Sequence, residues 1–566
     1  MTTRQEALAE LTAEGCPLEL VEVFMFGRRC RAFRNAPPTL RDLYAAARSD
    51  KTFFVYQDER YTFEEIWLRS CRLAHALLAN FGVGKGDRVA ISLRNYPEWV
   101  IAFNAATSIG AIAVAMNALW QPGEMDYALK DCDAKVLVAD QERLDRLALC
   151  DDPPVDLQVI AVRATGPLPS AWVDFDTVIG GAGIDVMPDV DIEPNDDAIM
   201  LYTSGSTGHP KGAVSCHRGV ISALLSWELD GQVAVRTGAV AAPVAGGPQP
   251  ATLLGIPLFH ATGLHAVLLA SYRAQRRVVS MHRWDAETAA ALIERERITS
   301  FTGPSAVTGD LVRVAARTGH DLSSLVTVGG GGAARAPEQV RAIDKAFGNA
   351  RPGTGWGMTE TNAIGTGIGG ADYMEHPESS GRASAILDLK IVDEAGETLP
   401  AMRRGELLVR GTSVIRGYWR RPDADLAAFD GEWLRTGDVA YLDDEGFLFI
   451  VDRIKDLVIR GGENIGCGTV EAALLEHPDV LEASAYGVPD DRLGEELAAT
   501  VHLGAPVAEE ALRAFLEPRL ARFEIPRYFH LQTDPLPRIA SGKILKRQLR
   551  DEAVVRLAAA TPTIVP

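Results

Sequence analysis

The sequence predicts an α/β protein with a large N-terminal domain of mainly parallel, helix-covered sheets and a small α+β domain after it. Three observations carry this. The 566-residue chain is longer than one compact core sustains. Up to about residue 452, apolar strand-like runs alternate with amphipathic helical patterns, which implies parallel strands joined by helices. Beyond that point short strands and short helices alternate over a length typical of one small domain. The expected division is therefore 1–452 and 453–566.

Along the chain, residues 1–40 read as an extension without a repeat. Arg88-Val-Ala-Ile-Ser-Leu93, Lys135-Val-Leu-Val-Ala139, Leu157-Gln-Val-Ile-Ala161 and, far downstream, Leu325-Val-Thr-Val328 are buried-strand runs. The apolar stretch 100–116 is interrupted by Asn104, Thr107 and Ser108, which suits a buried helix running into a strand better than a membrane span. Ala198-Ile-Met-Leu201 reads as another strand. Val220, Leu224 and Trp227 then repeat at helical spacing. Residues 229–250, rich in Ala, Gly and Pro, read as a long surface loop, an inert insertion or a lid. In the small domain, strands are expected at 457–460, 483–487 and 498–502, and helices at 469–475 and around 509–516.

Composition narrows the function. The apolar content of 47% is that of a soluble globular chain, and the net charge of −19 argues against nucleic acid or an anionic membrane as partner. Any anionic substrate must then be met by locally placed lysines and arginines. Seven scattered cysteines without a CxxC pair fit free thiols in a reducing compartment. The N-terminus lacks the apolar core of a signal peptide and the last residues match no lipidation signal, so a cytoplasmic location is expected.

Five clusters carry chemistry. Tyr202-Thr-Ser-Gly-Ser-Thr-Gly-His-Pro-Lys-Gly212 lies between the strand ending at Leu201 and the helical pattern. Glycines let the backbone approach phosphate, N–H groups and hydroxyls donate to it, and Lys211 adds a charge. It is not a Walker loop, because Lys211 sits between Pro210 and Gly212 instead of preceding Ser or Thr. Gly355-Trp-Gly-Met-Thr-Glu-Thr361 combines a flat indole that can stack on a purine with a carboxylate that can hold Mg²⁺. Trp433-Leu-Arg-Thr-Gly-Asp438 ends on a carboxylate able to accept two ribose hydroxyls. Asp452-Arg-Ile-Lys-Asp-Leu-Val-Ile-Arg-Gly-Gly-Glu-Asn464 sits at the expected domain boundary. Pro537-Arg-Ile-Ala-Ser-Gly-Lys-Ile-Leu-Lys-Arg547 is a basic C-terminal segment. Taken singly, each has a plain structural reading as an exposed loop, a buried turn or a solvated face.

These strings, in this order, resemble the signature motifs of the acyl-adenylate-forming superfamily, nearest to its fatty-acyl- and aryl-CoA synthetases. The resemblance covers nearly the whole chain after residue 40. It implies a barrel-like β subdomain in the large domain and a mobile small domain. It also implies a clamp for the leaving pyrophosphate in Thr203, Ser204, Gly205, Ser206, Thr207, Gly208 and Lys211. By the same resemblance Trp356 and Gly357 face adenine, with Gly331 and Gly332 beside it. Thr359 contacts the α-phosphate, Glu360 binds magnesium, and Asp438 and Arg453 hold the ribose. Lys455 becomes the hinge, Gly461 and Gly462 border a thiol tunnel, and Lys543 is the catalytic cation of adenylation.

Pro257-Leu-Phe-His-Ala-Thr-Gly263 resembles the family's acyl-pocket motif and places His260 and Gly263 there, His260 also among the catalytic groups; Gly330 forms the pocket floor. No carboxylate stands beside Phe259, so the acid is not expected to be an α-amino acid. Four consecutive glycines, 329–332, suggest room for a bulky or long apolar acid. Gly466-Cys467-Gly468 replaces the Tyr-Pro frequent in the family and is expected to loosen that loop. The implied activity is ATP- and Mg²⁺-dependent formation of acyl-AMP from a fatty, aromatic or alicyclic acid, then transfer to coenzyme A. The alternatives are loading of a carrier-protein thiol, a luciferase-like oxygenase and a silent ATP binder. The partners are small molecules, and the protein is expected to be a monomer or homodimer.

Overall fold

The computed structural model describes residues 2–203, 209–240, 246–331, 335–460, 463–490, 492–539 and 542–560. Three main sheets organise it. The first has eight strands in the spatial order Gly417–Tyr418, Lys211–Cys216, Asp197–Thr203, Ile112–Ala115, Arg88–Ser92, Ala134–Asp140, Gln158–Val162 and Trp172–Asp174. All pairings are parallel except the two made by Lys211–Cys216. Its central strands are unbroken apolar runs: Val89, Ala90 and Ile91 are fully buried, as are Val136 to Ala139. That pattern belongs to strands covered on both faces. Helix Phe63–Ala79, opened by a Thr62–Glu65 capping box, packs on helix Pro97–Ser108. Helix Pro97–Ser108, buried along its length, begins on a proline and leads into strand Ile112–Ala115, as the broken apolar stretch implied.

The second sheet changes character midway. Strands Thr52–Tyr56, Arg277–Ser280, Ala251–Leu254, Ser300–Gly303, Thr327–Gly330 and Arg351–Thr354 are parallel neighbours. From Thr366–Gly369 onward the pairing is antiparallel, through Gly381–Ala383, Phe447–Arg453, Trp433–Leu442, Gly405–Gly411 and Leu387–Val392. The β unit anticipated as barrel-like is thus hydrogen-bonded directly onto the parallel half. The third sheet is the small α+β unit. Its hairpin Val480–Asp490/Gly494–Leu503 is joined by Val458–Arg460, Glu463–Ile465 and Tyr528–Gln532. Helices Cys467–Leu475, Glu509–Leu516 and Lys546–Ala560 accompany it. Among the described residues no helix is long and apolar enough to cross a membrane.

Several expectations need correction. The motif loop after Thr203 does not lead straight into a helix. Strand Lys211–Cys216 intervenes, paired so that Thr203 faces Lys211, and the long helix His217–Arg236 starts only afterwards. A helical pattern beginning at Val220 hides that short strand, because six residues are too few to show a period. The supposed surface loop 229–250 begins in this helix: residues 229–236 are helical, because Leu229 and Val233, four apart, continue its buried apolar face. The strand sought at 325–328 is Thr327–Gly330. The 466–468 segment is not loosened. The Cys467 side chain is fully buried, its N–H donates to Asp452 Oδ2 at 2.5 Å, and a Cβ on Gly466 would lie 3.3 Å from Val451. The small residues there let the helix start pack against strand Phe447–Arg453. The N-terminal extension, for which the sequence showed no repeat, contains a helix and a hairpin. Helix Arg4–Leu11 lies on the long helix, and hairpin Leu20–Met25/Arg28–Phe33 is tied to the second sheet by Arg31–Asp388 at 2.6 Å.

Candidate active site

A cavity of about 2580 Å³ opens between the second sheet, the long helix and the small C-terminal unit. Of the residues named from sequence, Thr203, His260, Gly330, Gly331, Trp356 and Gly357 line it, as do Thr359, Glu360, Asp438, Arg453 and Lys543. Ser204, Gly205, Ser206, Thr207 and Gly208, together with Gly332, Gly461 and Gly462, lie outside the described residues. Lys211, Gly263 and Lys455 are not on the wall. Lys455 is exposed in a 3-10 turn, Ile454–Asp456. Gly263 packs inward, where a Cβ would come within 2.5 Å of the Pro257 carbonyl; glycine there serves close backbone packing and leaves the acyl wall to others.

Glu360 rides a 3-10 turn, Thr359–Thr361, whose exit is strained: Asn362 has φ 56° and Ala363 φ 64°. A left-handed alanine costs about 1–2 kcal/mol. Asn362 holds the turn by donating from Nδ2 to the Ser413 carbonyl at 2.7 Å, and Ala363 N–H donates to the Met358 carbonyl at 2.9 Å. The Glu360 carboxylate is buried and accepts from the Tyr418 hydroxyl at 2.9 Å. Burial pushes its pKa above the ordinary range, and the Tyr418 hydrogen bond pulls against that. Lys211 Nζ lies 5.4 Å from the centre of the same tyrosine ring. Tyr418 therefore connects the lysine of the first motif to the glutamate of the second. It stands in Ile415-Arg-Gly-Tyr-Trp419, where no local signal marks it.

Asp438 and Arg453 face each other in register on neighbouring strands, and Arg453 Nε stands 2.8 Å from Asp438 Oδ1. The Trp356 indole N–H donates to Asp438 Oδ2 at 2.7 Å. Each carboxylate oxygen thus holds one donor and keeps a lone pair for another, which leaves the two acceptor positions that a diol needs. Burial raises the Asp438 pKa, and Arg453 and then Trp356 oppose the rise.

Lys543 is delivered by a tight turn. Ile539 N–H donates to the Lys543 carbonyl at 2.8 Å, and Gly542 N–H to the Ile539 carbonyl at 2.9 Å. Gly542 has φ +85°, and a Cβ on it would sit 2.6 Å from Val307 of helix Ser305–Arg317, so both conformation and space require glycine. Lys543 is surrounded by protein yet open to the cavity. Burial, then the charge of Arg453, holds its ammonium below the ordinary lysine value, and Asp438 and Glu360 partly offset this. The turn is anchored by Arg538, which donates to Asp310 Oδ2 at 3.0 Å on helix Ser305–Arg317 and pairs with Glu482 of the small sheet. Burial and the Lys543 charge lower His260 to about 4, so it is neutral at pH 7.

Thr302, Gly329, Gly353 and Gly369 are hydrogen-bonded neighbours on four successive strands, and all four line the cavity. This row of small residues faces the space beside the long helix. Among the described residues no group of three or more His, Cys, Asp or Glu could cage a metal. A lone buried carboxylate such as Glu360 still fits Mg²⁺, which keeps waters and takes its other ligands from phosphate oxygens.

Comparison with known proteins agrees with this geometry. The AMP-binding enzyme family matches residues 42–419, and the AMP-binding enzyme C-terminal domain matches 469–543. The chain is 33% identical to 4-coumarate–CoA ligase 2 of Oryza sativa subsp. japonica over 87% of both chains. It is 31% identical to the long-chain-fatty-acid–CoA ligase FadD13 of Mycobacterium tuberculosis, over 88% of this chain and 93% of that one. Among solved structures, the o-succinylbenzoate coenzyme A synthetase of Bacillus subtilis in complex with ATP and magnesium superposes with a TM-score of 0.75 at 28% identity, covering 91% of this chain and 99% of that one. The chain belongs to the AMP-binding enzyme family and is an acid–thiol ligase.

Proposed function

We propose that the protein is an acyl-CoA synthetase for a fatty, aromatic or alicyclic carboxylic acid. One observation carries this reading: Lys543, far along the chain, enters the same cavity as Glu360, Asp438, Arg453 and His260. In the first half-reaction a carboxylate oxygen of the acid bonds to the α-phosphorus of ATP, and the bond to the β-phosphate oxygen breaks. Acyl-AMP and pyrophosphate result. Both reactants are anions, so the chain's contribution is positioning and neutralisation of charge. Lys543 supplies the positive charge near the reacting carboxylate. Asp438 and Arg453 orient the ribose, and neutral His260 borders the carboxyl without repelling Lys543. Magnesium bound at Glu360 supplies further charge neutralisation at the phosphates. In the second half-reaction the sulfur of coenzyme A, having lost its proton, bonds to the acyl carbon and AMP leaves.

The small unit from residue 453 is read as rotating between the steps, with Lys455 as hinge. The turn bearing Lys543 would withdraw, and residues 461–462 would come to border the thiol path. The seven motif residues from Thr203 to Lys211 are read as holding the leaving pyrophosphate. The test is purified protein with ATP, Mg²⁺ and a panel of acids, following pyrophosphate and AMP with and without coenzyme A. Coenzyme-A-dependent AMP release supports the reading. Turnover onto a carrier protein with no use of coenzyme A overturns it.

A further inference from the structure

The long helix gives the cavity a polar wall that includes none of the groups assigned above to adenylation. Trp227, Asp230, Gly231 and Ala234 of the long helix face the cavity, at the spacing of one helical face. Asp230 is the charged residue among them. It lies deep in protein, and burial pushes its carboxyl up to about 6, yet about a third of its side-chain surface (32%) stays open, onto the cavity. Its ionic partner is Arg4 at 3.6 Å, beyond hydrogen-bonding distance. Arg4 also lines the cavity. It donates to the Ala383 carbonyl at 3.2 Å and faces Arg382 and Asp372. Arg4 comes from helix Arg4–Leu11, which precedes the family match beginning at residue 42. A second ion pair, Glu10–Arg236 at 3.3 Å, helps to hold that helix on the long one.

We propose that Arg4 and Asp230 form a subsite for a hydroxyl group that the acid carries at a distance from its reacting carboxylate. A hydroxyl is the group that suits both: it donates to the carboxylate and accepts from the guanidinium. A second carboxylate would be repelled by Asp230, and an ammonium by Arg4. A purely apolar end would strip water from both charges and give nothing back. The inference rests on the acyl-CoA synthetase reading and narrows it: the substrate class is a hydroxylated acid, with the N-terminal helix contributing to its recognition.

The experiment compares matched pairs of acids, aliphatic chains of graded length and ring acids, each with and without a remote hydroxyl. Pyrophosphate release gives kcat/KM, and calorimetry gives acid binding. At least one hydroxylated acid is expected to exceed its deoxy parent by roughly ten- to a hundredfold, as a hydrogen bond to charged groups allows. In Asp230→Leu, and separately in Arg4→Met, that ratio is expected to fall toward one in both measurements. A merely structural role would lower both members of a pair together and leave the ratio intact. Adenylation of acids with no hydroxyl preference overturns this inference and leaves the synthetase reading standing. No pyrophosphate release with any acid overturns both.

Discussion

At the residue scale the site is a balance of buried charges. On the proposed mechanism Lys543 must be charged to assist an anionic attack, yet burial holds its pKa below that of an ordinary lysine. The sign follows directly: the charged form is lost as pH rises through the lowered value. In the free enzyme, kcat/KM for pyrophosphate release should therefore fall on the alkaline side earlier than for an unperturbed lysine. Lys543→Arg should abolish that limb. Lys543→Ala should lose about 100- to 1000-fold in acyl-AMP formation, while thioester formation from supplied acyl-AMP survives; equal loss of both steps would contradict the assignment. On the same reading Tyr418 would act through Glu360. Tyr418→Phe deletes the hydroxyl that donates to the buried carboxylate at 2.9 Å. A charge-assisted hydrogen bond is worth about 1.5–3 kcal/mol. Adenylation should drop by roughly tenfold or more, with a raised Mg²⁺ requirement in a titration. An unchanged Mg²⁺ dependence would separate Tyr418 from the metal role read for Glu360.

At the scale of elements, two contacts link distant segments. Arg538, beside the turn bearing Lys543, bridges Asp310 on helix Ser305–Arg317 and Glu482 on the small sheet. Both members of the Asp310–Arg538 pair are mostly buried, so it is screened less than a surface pair. Asp310→Asn weakens the link to the large unit and leaves the Glu482 link intact. Acyl-AMP formation should fall about fivefold or more, with transfer from supplied acyl-AMP unaffected, as measured by separate half-reaction assays. The second case is the row of small residues across four strands. A Cβ at Gly353 would meet its nearest atom, the Ile368 carbonyl oxygen, at 3.4 Å, so a side chain can enter the cavity without breaking the sheet. Gly353→Leu should reduce kcat/KM for bulky acids by roughly tenfold or more relative to acetate, with ATP binding retained. Loss of all acids alike would show that the row does not border the acyl group.

At the scale of the whole molecule, the division proposed from sequence at 452/453 cuts the last pairing of the second sheet, Asp438 with Arg453. The small sheet begins at Val458. A chain ending at Asp456 keeps Arg453 beside Asp438 and should fold, bind ATP in calorimetry and fail to release pyrophosphate, because Lys543 is gone. An unfolded fragment would show that the two parts are one cooperative unit.

The motif clusters and most long strands were legible in the sequence, for a physical reason. The motif strings keep the order that the family match bears out, and a strand buried on both faces must be apolar throughout. The strand Lys211–Cys216 was not legible, since a short element takes its identity from its neighbours, and the helical start of 229–250 was hidden by Gly231 and the Gly- and Pro-rich run that follows. The tight packing at Cys467 was invisible for the same reason: small residues look permissive until the surface they press against is known.

By itself the sequence determined the class of chemistry: residues such as Glu360, Asp438 and Lys543 sit in strings whose local order is the requirement. Only the tertiary structure decided which charges meet. The Lys211–Tyr418–Glu360 arrangement, the Arg538 bridge and the Arg4–Asp230 wall join residues far apart in the chain. Electrostatics and burial depend on distance through space, which residue order does not encode.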